Sequence, residues 1–160
     1  MLNVNIICIG KLKEKYLKDA CAEYEKRLAG YCKFSIIELP EYKIQDDPTD
    51  AQISKTVTEE GKKILDKIPK GSYIISMCIE GKMHSSEELG AILEEVGVKG
   101  ISSVTFIIGG SWGISDEVKK ISDLRLSMSR MTFPHQLARV LLCEQIYRGF
   151  TIINSGKYHK

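Results

Sequence analysis

Apolar and polar positions along the chain fall into alternating blocks that predict strands and helices in turn. Short apolar runs, typical of strands buried on both faces, occur at 3–9, 34–39, 73–79 and 103–110. In the segment after the first run, every fourth residue from Leu12 to Leu28 is apolar or aromatic, the spacing of a helix. Helices are predicted at 12–28, 53–68, 85–97 and after Ser115, and 125–142 holds a fifth strand and the start of a fifth helix.

This alternation predicts an α/β domain. Strands separated by helices are typical of a mainly parallel sheet, here of five to six strands, with helices on both faces. The length of 160 residues fits one domain, residues 1–160. Ligands of such sheets bind beyond the carboxyl ends of the strands, so the candidate binding loops follow Ile79, Ile108 and Met131.

Composition excludes several classes of protein. Hydrophobic residues make up 43% of the chain, and no run approaches the roughly 20 apolar residues of a membrane span. The N-terminus lacks the features of a signal peptide, so we expect a cytoplasmic protein with no membrane partner. The cysteines form no C-x-x-C pair, which favours core residues in a reducing compartment over disulfides or a metal site. They are Cys8, Cys21, Cys32, Cys78 and Cys143.

Charge is distributed unevenly along the chain. Residues 125–160 contain six lysine and arginine side chains against one acid, Glu144, although the net charge of the chain is only +2. Four of its five arginines lie in this segment. Because arginine suits phosphate and base contacts, a phosphate-bearing or polyanionic partner is predicted.

Glycines follow the fourth predicted strand in the motif "IIGGSWGI". Gly109, Gly110 and Gly113 would let a ligand approach the backbone, which is typical of a nucleotide-type site. The spacing is not the G-x-G-x-x-G of dinucleotide-binding proteins. A sharp turn that needs positive φ is the alternative interpretation.

The motif "MSRMTFPHQ" predicts a rigid corner before the last helix. Pro134 suits the first helical turn and forces the preceding residue to be extended. The corner would offer both apolar and hydrogen-bonding surface, as an adenine requires, from Met128, Met131, Phe133, Ser129 and Thr132. Core packing is the alternative for its methionines and phenylalanine.

The last helix and the chain end hold further candidates. His135 and Arg139 share a face at the N-terminal end of this helix, whose dipole favours a neutral imidazole and stabilises an anion. Polar residues lie around the whole circumference of the helix, which predicts partners on several sides and hence a homodimer. Tyr158, His159 and Lys160 are expected to contact nucleic acid or to be disordered.

Several motifs, in order along the chain, resemble the RlmH family of SPOUT-class methyltransferases. They are "VNIICIGKLKEKY", "AEYEKRL", "IEGK", "FIIGGSWGI", "SMSRMTFPHQLARVLLCEQIYRGF" and the terminal "YHK". The resemblance covers essentially the whole chain. Met77 and Met128 depart from it, since leucine or another bulky apolar residue is expected at both positions.

The resemblance implies a fold, a cofactor and a substrate. The fold would include a C-terminal trefoil knot that forms an S-adenosylmethionine site, completed across a homodimer. The implied substrate is a pseudouridine in the helix 69 loop of 23S ribosomal RNA, methylated at N3 on assembled ribosomes. The expected cofactor contacts, with Gly110 added from the glycine motif, are Met77, Gly109, Gly110, Met128, Ser129, Arg130, Met131, Thr132 and Phe133.

Methylation of an imide nitrogen needs a base and an anion stabiliser in a closed site. We expect His135 or His159 to assist deprotonation, and Arg139 and Arg148 to hold the anion or phosphates. The expected RNA contacts are Arg148, Tyr158, His159 and Lys160. A nucleotide-dependent oxidoreductase and a noncatalytic RNA-binding or ribosome-assembly module are the alternatives.

Overall fold

Strands and helices alternate throughout the part of the chain that the computed structural model describes, residues 1–154. The strands are β1 (Asn3–Ile9), β2 (Lys33–Leu39), β3 (Tyr73–Met83), β4 (Ser103–Ile108) and β5 (Leu124–Ser127). The helices are α1 (Lys15–Leu28), α2 (Asp50–Lys67), α3 (Ser86–Val98), α4 (Asp116–Ile121) and α5 (His135–Ile153). The element order predicted from the hydrophobic pattern is confirmed.

The five strands form one all-parallel sheet in the order β2-β1-β4-β3-β5. In the centre, Ile6 of β1 lies opposite Phe106 of β4. Every residue of β4 is buried, because helices cover both faces of the sheet. Since the strands are parallel, the loops after β4, β3 and β5 lie side by side at the carboxyl edge.

Two apolar cores lie on opposite faces of the sheet. Leu17 of α1, Leu93 of α3 and Ile146 of α5 belong to the larger core. Ile64 of α2 and Val118 of α4 belong to the smaller one. The predicted α/β class, with helices on both faces of a parallel sheet, is therefore confirmed.

The end of β3 differs from the prediction. The strand was expected to end near Ile79 but continues to Met83. Met77 and Lys82 both lie opposite Leu126 of β5, so the four residues between them loop out of the sheet. We call this segment the 78–81 bulge. It adds to the carboxyl edge a feature that hydrophobic spacing did not predict.

Side-chain caps set the starts of two helices. Thr49 and Gln52 form a complete capping box, so α2 begins at Asp50, earlier than the predicted residue 53. At α3, the Ser85 hydroxyl accepts a hydrogen bond from the Glu88 amide at 3.1 Å. Helix α2 therefore begins before its apolar stripe, because the polar residues ahead of the stripe cap its start.

Helix α5 packs against both α1 and α3. Several of its polar side chains have partners within the chain: the Ser86 hydroxyl donates to Gln145 at 2.6 Å, and Arg148 pairs with Glu144 at 2.6 Å. The prediction that α5 has partners on several sides is met within the chain, because α1 and α3 both flank it. The predicted homodimer thus loses its original argument and stays a prediction.

Two expectations drawn from composition can be compared with the described residues. The core position predicted for the cysteines is confirmed for Cys8, Cys21, Cys32 and Cys143, which are buried, whereas Cys78 is half-buried. Within residues 1–154, none of the helices combines the length and the apolar character needed to cross a membrane.

Candidate functional site

A cavity of about 440 Å³ opens at the carboxyl edge of the sheet, between the 78–81 bulge of β3 and the segments that follow β4 and β5. The three predicted binding loops therefore meet in space. The lining is mainly apolar with a few polar groups, as is usual for sites that bind small organic ligands. It includes every predicted cofactor contact except Arg130, namely Met77, Gly109, Gly110, Met128, Ser129, Met131, Thr132 and Phe133.

The glycine turn after β4 forms one wall of the cavity and is folded tightly on itself. A Cβ atom at Gly109 would lie 2.6 Å from the carbonyl oxygen of Gly113, so no side chain fits there. Gly113 has φ of 90°, a conformation that glycine adopts without strain. The interpretation as a sharp turn is thus confirmed, and the bare backbone of the turn faces the cavity. Ligand binding by the turn stays a prediction.

Glu60 of α2 supports this turn from behind. Its carboxylate lies against Gly110, where an added Cβ would be 3.1 Å from Oε1. Oε2 accepts a hydrogen bond from the Tyr42 amide at 3.1 Å, whereas Oε1 has no hydrogen-bond partner among residues 1–154. Burial raises the pKa of Glu60 above its ordinary value of 4.5. In the sequence nothing distinguishes Glu60 from its neighbour Glu59.

The corner between β5 and α5 forms the opposite wall. Ser129 organises it: its hydroxyl accepts from the Met131 amide at 3.0 Å, and its carbonyl accepts from the Ser127 hydroxyl at 3.1 Å. Met131 is 76% exposed, which argues against a core role, whereas Met128 packs against the larger core. Pro134 was predicted to lie within the first turn of α5. It directly precedes the helix instead.

His135 is the first residue of α5 and lines the cavity. No side chain caps this end of the helix, and its first turn contains no acidic residue. The amides of the first turn and the helix dipole therefore give this end positive character. An anion that formed in the cavity near His135 would be stabilised.

Arg139 is not among the residues that line the cavity in the described chain. Its side chain is 2% exposed and donates from Nη1 to Glu38 Oε2 at 2.6 Å and from Nη2 to the Gly10 carbonyl at 3.0 Å. The Leu12 amide donates to the same carboxylate oxygen at 3.2 Å. The structure thus joins Arg139 to the ends of β1 and β2 and does not bring it to the cavity with His135.

The other predicted residues lie apart from the cavity. Arg130 is exposed on the corner and is absent from the described lining. Arg148 lies further along α5, where its guanidinium pairs with Glu144. Tyr158, His159 and Lys160 lie outside the described residues. The roles assigned to these side chains stay predictions.

Sequence reasoning missed the charged part of the lining. Cys78 and Glu80 of the 78–81 bulge and Lys119 of α4 line the cavity, and Lys119 pairs with Glu80. The hydrogen bond from Lys119 holds the pKa of the Glu80 carboxyl below its ordinary value of 4.5. Burial raises the pKa of the Cys78 thiol. The one signal in the sequence that pointed to these residues was Gly81, next to Glu80.

Comparison with known proteins adds to this geometry. The family model described as "Predicted SPOUT methyltransferase" matches residues 2–159. Ribosomal RNA large subunit methyltransferase H of Clostridium acetobutylicum is 50% identical, and that of Listeria monocytogenes 48%; each alignment covers 99% of this chain and 100% of the relative. The crystal structure of tRNA (m1G37) methyltransferase from Aquifex aeolicus has a TM-score of 0.54 at 12% identity, over 92% of this chain and 69% of that one, which supports the fold alone.

Proposed function

The chain belongs to the SPOUT methyltransferase family, and from that premise we propose that it is an S-adenosylmethionine-dependent methyltransferase of large-subunit ribosomal RNA. The observation that carries the proposal is the cavity between the glycine turn and the β5–α5 corner. The names of the full-length relatives support the choice of RNA. The proposed target is N3 of a pseudouridine in the helix 69 loop of 23S ribosomal RNA, on assembled ribosomes in the cytoplasm.

The cavity residues fit S-adenosylmethionine. The volume of about 440 Å³ lies within the range of sites for small organic ligands. Gly109 leaves the backbone open to a ligand, and Met131 and Phe133 offer apolar cover on the opposite wall. When bound, the cofactor would supply an electrophilic methyl group on a sulfonium sulfur.

His135 is the proposed base. The N3–H proton of pseudouridine must leave before the nitrogen electron pair can form a bond to carbon, and the imidazole at the start of α5 would accept that proton. The first-turn amides of α5 would stabilise the resulting imide anion. His159 is the second candidate for the base.

The proposal assigns the remaining cations to two roles. Arg139 positions α5 through Glu38 and Gly10, and does not contact the substrate. Arg148, with Tyr158, His159 and Lys160, contacts RNA. Phosphate contacts of this kind position a nucleic acid without reading its bases.

We also propose that the β5–α5 corner belongs to a trefoil knot and that two chains form a homodimer. The dimer is supported by exposed apolar side chains near the cavity, namely Ile79, Trp112, Met131 and Leu137. A second chain over these residues would exclude water from the cavity, and a dry site favours reaction between an anion and a cation. Sedimentation of the purified protein measures the oligomeric state.

Ribosomes from cells that lack this protein provide the test of activity. They are incubated with the purified chain and S-adenosylmethionine, and the ribosomal RNA is analysed by mass spectrometry. We expect one added methyl group on one pseudouridine of 23S RNA. Ribosome binding without methyl transfer would contradict the proposal and favour a noncatalytic RNA-binding module.

A further inference from the structure

Two opposite charges face the cavity and take no part in the proton transfer assigned to His135. Glu80 and Lys119 both line the cavity and form an ion pair, with side chains that are 54% and 21% exposed. The adjacent lining is apolar and includes Met77 and Ile114. A few charged groups in an otherwise apolar lining are the groups that orient a ligand.

The 78–81 bulge determines the position of Glu80. Because Met77 and Lys82 both lie opposite Leu126, the chain between them leaves the sheet and then returns to it. Gly81 makes the return possible: a Cβ atom there would lie 2.8 Å from the backbone carbonyl of Arg125. Bulges commonly occur beside active sites, where they redirect a side chain. Here the bulge adds Glu80 to the lining.

Lys119 is positioned separately, by α4. The Ser115 hydroxyl caps this helix by accepting from the Val118 amide at 3.3 Å. At the other end, Arg125 Nε donates to the Lys119 carbonyl at 3.4 Å. The carboxylate and the ammonium therefore come from two different elements, β3 and α4, which meet at the cavity.

We propose that Glu80 and Lys119 bind the amino-acid end of S-adenosylmethionine, Glu80 accepting from its ammonium group and Lys119 donating to its carboxylate. This inference rests on the proposed function. An α-amino acid carries opposite charges on one carbon, so a carboxylate beside an ammonium is complementary to it. Opening the Glu80–Lys119 pair costs little because partly exposed ion pairs contribute little, and two charge-assisted contacts replace it.

Binding of two thioethers tests the proposal without any methyl transfer. S-adenosylhomocysteine has the amino-acid end, and methylthioadenosine lacks it. In calorimetry with the full chain, Glu80→Gln and Lys119→Met should each weaken S-adenosylhomocysteine binding about tenfold. Neither substitution should change the affinity for methylthioadenosine. The matched controls Glu117→Gln and Lys120→Met, on the same helix as Lys119 and outside the described lining, should change neither affinity.

A third ligand separates the two roles. Decarboxylated S-adenosylmethionine keeps the ammonium group and lacks the carboxylate. Its affinity should fall with Glu80→Gln and stay unchanged with Lys119→Met. If both substitutions weakened the binding of this ligand equally, the assignment of Glu80 to the ammonium group and of Lys119 to the carboxylate would be overturned.

Exchange of the two charges tests whether the pair is merely structural. The double variant Glu80→Lys, Lys119→Glu can re-form an ion pair, so its melting temperature should match the wild type while its S-adenosylhomocysteine affinity stays low. Full recovery of affinity, or equal losses for both thioethers in the single variants, would overturn the proposal. If the wild-type chain bound none of these compounds, the proposed function itself would fail.

Discussion

Arg139 and Glu38 lie 101 residues apart in the chain and form a contact of 2.6 Å between guanidinium and carboxylate. The same arginine donates to the Gly10 carbonyl, so one side chain fastens the last helix to the ends of the first two strands. His135 lies one turn earlier on α5. The Arg139 contacts therefore determine where the start of this helix meets the cavity.

Removal of Glu38 should destabilise the fold. In Glu38→Ala, the buried guanidinium of Arg139 would keep only the Gly10 carbonyl as a partner. We expect the free energy of unfolding to fall by about 3 kcal/mol, as when one partner of a buried ion pair is removed. Urea denaturation measures this. Asp19→Ala, which removes the exposed pair with Lys15, should leave the midpoint unchanged; similar losses in both variants would contradict the buried role.

Alanine at Gly109 should disrupt the glycine turn. The new Cβ would lie 2.6 Å from the Gly113 carbonyl oxygen, so the turn must open and the cavity wall must move. We expect a lower melting temperature and loss of S-adenosylhomocysteine binding by calorimetry. Gly97→Ala is the control, because nothing lies within 4 Å of its added Cβ. That change should be neutral or stabilise α3 by up to about 1 kcal/mol, and an equal loss of binding in both variants would refute the steric argument.

Glu60 should make stability depend on pH. Burial, and to a smaller extent the nearby Glu41, raises its pKa in the folded chain. Because the folded state then binds the proton more tightly than the unfolded state, this stabilisation is complete below pH 4.5 and is lost as pH rises through the folded-state pKa. Denaturation of Glu60→Gln should therefore show an advantage over wild type that grows with pH above 4.5. Parallel curves for wild type and Glu60→Gln would contradict the prediction.

Substitution of His135 should slow chemistry more than cofactor binding. If the imidazole takes the N3 proton, His135→Gln should lower the single-turnover rate of methylation about 100-fold, the range of general base catalysis. S-adenosylhomocysteine affinity should change by less than about threefold, because most of the cavity lining is intact. His84→Gln, at a histidine absent from the described lining of the cavity, should methylate at the wild-type rate. An unchanged methylation rate in His135→Gln would show that another group is the base, and His159 would be tested next.

Local signals made most of the architecture and part of the cavity predictable. Runs such as 103–108 in β4 are apolar because both faces of a parallel strand are covered. Because glycine allows a tight turn that other residues do not, and Pro134 restricts the backbone around itself, the glycine turn and the corner could be predicted without long-range information. The pairing of Arg139 with Glu38 could not, since no local rule joins positions so far apart.

The sequence by itself determined the α/β order, the parallel sheet and the segments that line the cavity, because hydrophobic period, glycine and proline act through neighbouring residues. Tertiary structure alone decided which charges face the cavity. Arg139 was expected there but is buried against Glu38, whereas Glu80 and Lys119 reach it through a bulge and a short helix. The physical reason is that the charge of each side chain can be read from the sequence, whereas its burial and its ion-pair partner depend on which distant segments of the chain pack beside it.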